Sequence, residues 1–222
     1  MGDGSRGEKR RARARAETAE LLQPLLKHIV PVSGVVQCGL GDWAEGPVLN
    51  EFFNNDQEFM AVEPIQRYCF EAWRDGFRGP IIQAALWNCT GKRINLQDFR
   101  SRTSMLDKES RRGEFPSTTL TLDDALEYVQ FEPEAKWLMM YGQASSLLLW
   151  MDCEGAELTI LQAARKTLER TAAIIIELKD EPKLPGWPPA SAVSEDLYDK
   201  GFILSLRIGD NGLFLRPKYI EV

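Results

Sequence analysis

Apolar residues recur at helical spacing between residues 17 and 29, where Leu21, Leu22, Leu25, Leu26 and Ile29 predict an amphipathic helix. Beyond it, short apolar runs alternate with helical patterns. Strands are predicted at Gly34 to Cys38, Phe59 to Val62, Pro80 to Ala85, Leu147 to Met151 and Ala172 to Leu178. Helices are predicted at Pro47 to Asn54, Ile65 to Arg74, about Ala156 to Glu169, and about Ala190 to Lys200. The chain closes with Phe202 to Arg207 and Leu213 to Leu215, separated by Gly209-Asp210-Asn211-Gly212, a strong hairpin signal. Strands that alternate with helices demand right-handed crossovers, hence an α/β fold with a doubly wound, mainly parallel sheet. The final hairpin adds one antiparallel strand, for a sheet of seven.

The stretch from about 91 to 136 interrupts this alternation. It holds Arg93 to Phe99, a polar run through Arg112, and a short helical pattern near Leu122 to Tyr128. An insertion between the third and fourth strands lies beside the carboxyl ends of the strands, where a substrate cover belongs. Its Arg100, Arg102, Arg111 and Arg112 suit an anionic or heavily hydroxylated substrate, and equally suit a solvated loop.

Composition narrows the class. The 222 residues, 44% hydrophobic and 27% charged, can bury about 70% of the unfolded chain's surface as one domain without disulfide or metal staples. The first sixteen residues carry a local charge of +4 against −6 for the whole chain, so the remainder carries −10. The basic stretch reads as a flexible, solvated tail, and so acidic a body is a poor grip for a phosphate backbone: no nucleic-acid partner is expected. No apolar run approaches the roughly 20 residues of a membrane span. Cys38, Cys69, Cys89 and Cys153 lack metal-ligand spacing and read as reduced thiols of a cytoplasmic protein. His28 is the sole histidine and there is no G-x-S-x-G, which argues against a Ser-His-Asp hydrolase.

Three constellations carry chemistry. Val35-Val36-Gln37-Cys38-Gly39-Leu40-Gly41-Asp42 runs a strand into a glycine turn before a helix, where backbone approaches a ligand closely. With Ala44 it also spells G-x-G-x-x-A, a permitted dinucleotide fingerprint. Glu63 ends the second strand, 24 residues after Gly39, where an acid accepts hydrogen bonds from two ribose hydroxyls of an adenosyl group. Asp152, Glu154 and Glu157 crowd three carboxylates into six residues after an apolar strand. Like charges this close favour a nearby cation: an ammonium, a sulfonium or a divalent metal. Glu154 and Glu157 also suit the amino end of the next helix.

The run LLLWMDCEGAELTILQAARKTLER, followed by AAIIIELK, resembles the late motif of the FkbM family of S-adenosylmethionine-dependent methyltransferases. VVQCGLGD, AVEPIQRYCFEAW, IIQAALWNCTGKRINL and STTLTLDDAL stand in the order and spacing of the family's other segments, so the similarity spans roughly Val35 to Lys179. The resemblance implies a Rossmann-like methyltransferase domain, and the charge and spacing of the chain put its bounds at 17–222 after a tail of 1–16. It further implies S-adenosylmethionine as cofactor and O-methylation of a sugar, possible glycan or other small hydroxylated acceptor. It places the cofactor against Gln37, Gly39, Gly41, Asp42, Glu63, Ala84, Ala85 and Asp152. The family usually has Asp where Gln37 stands, so Gln37 offers the methionyl amino group a neutral acceptor, with Asp42 or Asp152 to compensate.

The transfer needs a base for the hydroxyl proton; Asp152 is the first candidate and Glu154 the second. Glu177 and Asp180 could join Asp152 around Mg²⁺, an oxygen ligand set suited to that ion. Two other functional classes remain open. One is an NAD(P)-dependent oxidoreductase, for which the acidic cluster has no task and no Tyr-x-x-x-Lys pair is present. The other is an inactive cofactor-binding interaction module. The oligomeric state is not legible.

Overall fold

The computed structural model describes residues 4–28, 32–53, 59–77, 79–98, 103–104, 114–131, 146–182 and 186–219. Seven strands form the main sheet: β1 (Gly34–Cys38), β2 (Phe59–Val62), β3 (Ile81–Ile82), β8 (Leu147–Met151), β9 (Thr171–Glu177), β10 (Ile203–Ile208) and β11 (Asn211–Leu215). Their order across the sheet is β10-β11-β9-β8-β1-β2-β3. The strands from β3 to β9 run parallel, and β11 enters antiparallel between β9 and β10. This is the expected doubly wound sheet with its closing hairpin.

Chain order reverses at β1, whose neighbours β2 and β8 lie far apart in sequence. The sheet therefore opens a crevice at the carboxyl ends of β1 and β8. Both faces are apolar because helices cover both. Val36, Cys38, Leu149, Met151, Ile174 and Ile176 pack on one side. Val35, Leu148, Trp150, Ala173 and Ile175 pack on the other, together with Leu21, Leu22 and Leu49. Those last leucines come from α1 (Gly4–His28) and α2 (Gly46–Phe52). The remaining helices are α3 (Gln66–Arg74), α4 (Leu122–Phe131), α5 (Glu157–Ala163), α6 (Arg165–Glu169) and α7 (Ala190–Asp199).

Three elements differ from expectation. The basic stretch is not a frayed tail from residue 4 onward but the first turns of α1, and Arg10 and Arg11 both reach Asp42 in the glycine turn. The single helix expected at Ala156 to Glu169 is broken at Ala164, which leaves helical geometry with ψ +44°. The expected third strand is two strands. Ile81–Ile82 pairs with Ala61–Val62, whereas β4 (Ala85–Leu86) pairs with Thr119–Leu120.

That partner belongs to β7 (Glu114–Leu120), which joins β4, β5 (Arg93–Asp98) and β6 (Thr103–Ser104) in a second sheet of order β4-β7-β5-β6. The described part of the expected insertion is thus mainly sheet. Arg100, Arg102, Arg111 and Arg112 lie outside the described residues. No described helix is long and apolar enough to cross a membrane.

Candidate functional site

The cleft at the sheet's switch point is lined by the glycine turn (Gly39, Gly41), the end of β2 (Val62, Glu63, Pro64) and the turn after β8 (Asp152, Cys153, Glu154, Ala156). Tyr68 of α3, Ala85 and Leu86 of β4, and Leu96 of β5 complete it.

The two turns are interlocked. The Asp152 N–H donates to the carbonyl of Cys38 at 2.9 Å, and the Gly39 N–H donates to the carbonyl of Val62 at 2.9 Å. Gly39 sits at φ +83°, and a Cβ there would lie 2.0 Å from the carbonyl oxygen of Asp152. Gly41, at φ +49°, has open space where a Cβ would be. The first glycine is required by the neighbouring turn, and the second keeps backbone exposed to the cleft.

Glu63 is buried, and its carboxylate braces the same turn. Oε2 accepts from the Leu40 N–H at 2.8 Å and from Gly41 at 3.4 Å, while Oε1 accepts from the Ile65 N–H at 2.8 Å. After β8, Asp152 is exposed in the cleft and Glu154 takes a left-handed φ of +49°. Glu157 turns back to accept from the Cys153 N–H at 2.7 Å, closing the loop that presents Asp152.

Several expected residues lie elsewhere. Gln37 is fully buried on the α2 side of the sheet, where it accepts from Trp43 Nε1–H at 3.2 Å and donates to Glu45. It does not line the cleft. Asp42 turns toward α1 and its arginines. Ala84 packs in the core, and only Ala85 reaches the cleft.

The Mg²⁺ set is not assembled. Asp180 is held by both terminal nitrogens of Arg207, at 2.8 and 2.9 Å, and Glu177 pairs with Lys179 at 2.6 Å. Among the described residues no group of three or more His, Cys, Asp or Glu side chains could hold a metal ion. Lining residues that sequence reasoning missed include Pro64, Tyr68, Leu86 and Leu96. Tyr68 follows Glu63-Pro64 on a helix, a signal open to such reasoning; Leu96 arrives through pairing within the second sheet, which no local pattern announces.

A sequence model described as the methyltransferase FkbM domain matches residues 54–204. The chain belongs to the FkbM methyltransferase family. No curated protein matches it. Among solved structures, this FkbM chain is similar to a SAM-dependent methyltransferase from Aquifex aeolicus, with 13% identity, 97% of this chain and 100% of that chain covered, and a TM-score of 0.44. It is also similar to a sugar N-methyltransferase from Streptoalloteichus, with 9% identity, 91% and 87% covered, and a TM-score of 0.46. DesVI from Streptomyces venezuelae gives 10% identity, 94% and 92% covered, and a TM-score of 0.47.

One electrostatic property of this FkbM domain is measurable without any ligand. Burial pushes the Glu157 carboxyl from 4.5 up to about 8, and the charges of Asp152 and Glu177 add to the rise against two backbone hydrogen bonds. Below pH 4.5 both folded and unfolded chains hold this proton. Between pH 4.5 and about 8 only the folded chain does, so the unfolded state gains and stability falls as pH rises. The slope is roughly 1 kcal/mol per pH unit for such a group. Glu157→Gln, which keeps an acceptor for the Cys153 N–H, is expected to flatten the slope. Urea midpoints at a series of pH values check this; an unaltered slope in the variant would remove Glu157 as its source.

Proposed function

We propose that the chain transfers the methyl group of S-adenosylmethionine to a hydroxyl oxygen of a sugar or another small polar acceptor. The observation that carries this reading is the cleft in which Gly39, Gly41, Glu63 and Asp152, from three distant segments, come together. The family supplies the reaction class, and the resemblance of its motifs supplies the acceptor class.

The lining fits the cofactor. Glu63 offers a buried carboxylate for ribose hydroxyls, Gly41 leaves room for close backbone approach, and Pro64, Tyr68, Leu86 and Leu96 form an apolar wall for a flat base. When bound, S-adenosylmethionine supplies an electrophilic methyl group on a sulfonium. The protein's own work is then to hold the acceptor hydroxyl in line and to receive its proton. Asp152 would take that proton, with Glu154 the alternative on the same turn. The second sheet, through Leu96, borders the cleft and serves as the acceptor cover. Free cysteines fit a reducing compartment, the cytoplasm.

Calorimetric titration with S-adenosylhomocysteine and with NAD tests the cofactor, and methyl transfer to a panel of sugars tests the acceptor. Binding of NAD alone would replace this reading with the oxidoreductase. Cofactor binding without transfer to any hydroxylated acceptor would favour an interaction module. Glu63→Ala is expected to weaken S-adenosylhomocysteine binding by roughly 2 to 3 kcal/mol, since a charged acceptor is lost. It should also lower the melting temperature, because the N–H groups of Leu40 and Ile65 lose their partner. Unchanged affinity in a folded variant would take Glu63 out of the site.

A further inference from the structure

The two halves of α1 are held differently. Its second half buries Thr18, Leu21, Leu22 and Leu25. Residues 8–17 bury no side chain, and the like-charged pairs Lys9–Arg13 and Arg11–Arg15, one turn apart, work against a helix on its own. Arg13 is paired with Glu17 on the helix itself, whereas Arg10 and Arg11 find their acid on the body. Arg10 Nη2 meets the carboxylate of Asp42, and Arg11 Nε lies 3.7 Å from the same oxygen. Arg11 and Arg15 also share a polar cavity with Asp42 and with Asp75, the C-cap residue of α3. The basic half of α1 is therefore docked by charge rather than by packing, a contact that opens more readily than a core.

Asp42 belongs to the turn whose Gly39 and Gly41 line the cleft. That turn is strained. Trp43 holds φ +47°, a left-handed value that a bulky side chain rarely takes, beside Gly39 and Gly41 at +83° and +49°. Such backbone persists where its surroundings hold it from several sides. On the cleft side Glu63 accepts from the N–H groups of Leu40 and Gly41, and the side chains of Leu40 and Trp43 are packed in the core. On the outer side the turn is tied to α1 through Asp42. Asp42 directly follows Gly41, so release of its carboxylate loosens the turn next to a residue that borders the cleft.

We propose that Arg10 and Arg11, through Asp42, hold the glycine turn in the shape that receives the cofactor, so that docking of the basic half of α1 and cofactor binding favour each other. All three are positioning residues and act without touching the ligand. The coupling runs equally in both directions, as linkage requires. This rests on S-adenosylmethionine being the cofactor.

The test has two arms. In calorimetry, Arg10→Glu/Arg11→Glu should weaken S-adenosylhomocysteine binding by about fivefold or more, and Asp42→Asn should do the same. Lys9→Glu/Arg13→Glu makes the same change of charge on α1 without touching Asp42, and should leave affinity within about twofold of the wild type. In the second arm, saturating S-adenosylhomocysteine should slow tryptic cleavage of the wild type between residues 9 and 15, followed by mass spectrometry, by about fivefold or more. Wild-type affinity in Arg10→Glu/Arg11→Glu, an equal loss in Lys9→Glu/Arg13→Glu, or tryptic cleavage that the ligand does not slow overturns the coupling. A loss in Asp42→Asn alone also overturns it, since Asp42 would then meet the cofactor itself. Should the charge-reversed pair fail to fold, as read by circular dichroism, Arg10→Gln/Arg11→Gln replaces it and is read in the same way. If the wild type does not bind S-adenosylhomocysteine, the cofactor reading has failed. If it binds and the arginine variants bind equally well, the coupling alone has failed.

Discussion

Asp152→Asn is expected to slow methyl transfer by about 10²- to 10⁴-fold while the protein stays folded. Asparagine keeps the volume and removes the basicity. The backbone of residue 152 is held by its own N–H on the carbonyl of Cys38, and the loop behind it is closed by Glu157 on Cys153, so the substitution leaves the turn in place. On the proposed mechanism, what changes is the group that would receive the acceptor's hydroxyl proton. Asp152 also brings a carboxylate to the cleft, so a smaller loss of S-adenosylhomocysteine affinity should accompany the loss of rate. Turnover at saturating cofactor, set beside calorimetric affinity, separates the two contributions. Full activity at normal stability would move the chemistry to Glu154.

Gly39→Val should remove cofactor binding and destabilise the fold by about 3 kcal/mol or more, from a left-handed backbone and a collision together. In a chain of this length that corresponds to a fall in melting temperature of about 6 to 12 °C. The collision is with the backbone carbonyl of Asp152 rather than with a flexible side chain, so it cannot be relieved by a rotamer change. Gly41→Ala is the control. Its backbone is also left-handed, but nothing stands in the way of a Cβ, so its cost to stability should be near 1 kcal/mol. Equal stability losses at the two positions would mean that the turns do not interlock as described.

Much of this fold is legible in the sequence because parallel strands buried on both faces are continuous apolar runs, as in Leu147–Met151 and Thr171–Glu177. The hairpin is marked by its glycines. What local pattern does not carry is partner choice. Ile81–Ile82 and Ala85–Leu86 are separated by two residues and look like one strand, yet they pair in different sheets. The basic stretch at the start of the chain reads as unstructured because its charges have no apolar stripe of their own; it is helical as the extension of a segment anchored by Leu21, Leu22 and Leu25.

The site is legible to the same depth. The glycine turn and Glu63 stand out by their spacing, and Asp152 by the crowding of carboxylates after an apolar strand and by the family resemblance. The direction of Gln37 does not, since a strand residue's face is set by register: Val36 and Cys38 pack in one core, Gln37 is buried on the opposite face, and the cleft begins only at Gly39. The metal set fails for a related reason. Glu177 and Asp180 sit at the right strand end, but Lys179 and Arg207, the latter contributed by β10, hold them in ion pairs.

The position of β11 bears on how the molecule is made. The last strand along the chain is not at the margin of the sheet but inside it, between β9 and β10. During synthesis β9 therefore waits with one row of peptide groups unpaired, flanked by Ile174, Ile175 and Ile176, until residue 215 has left the ribosome. An apolar strand with an open edge is the kind of surface that recruits other strands. Production of this protein should accordingly be limited by association of incomplete chains, and relieved by slower translation or by chaperones that shield extended segments.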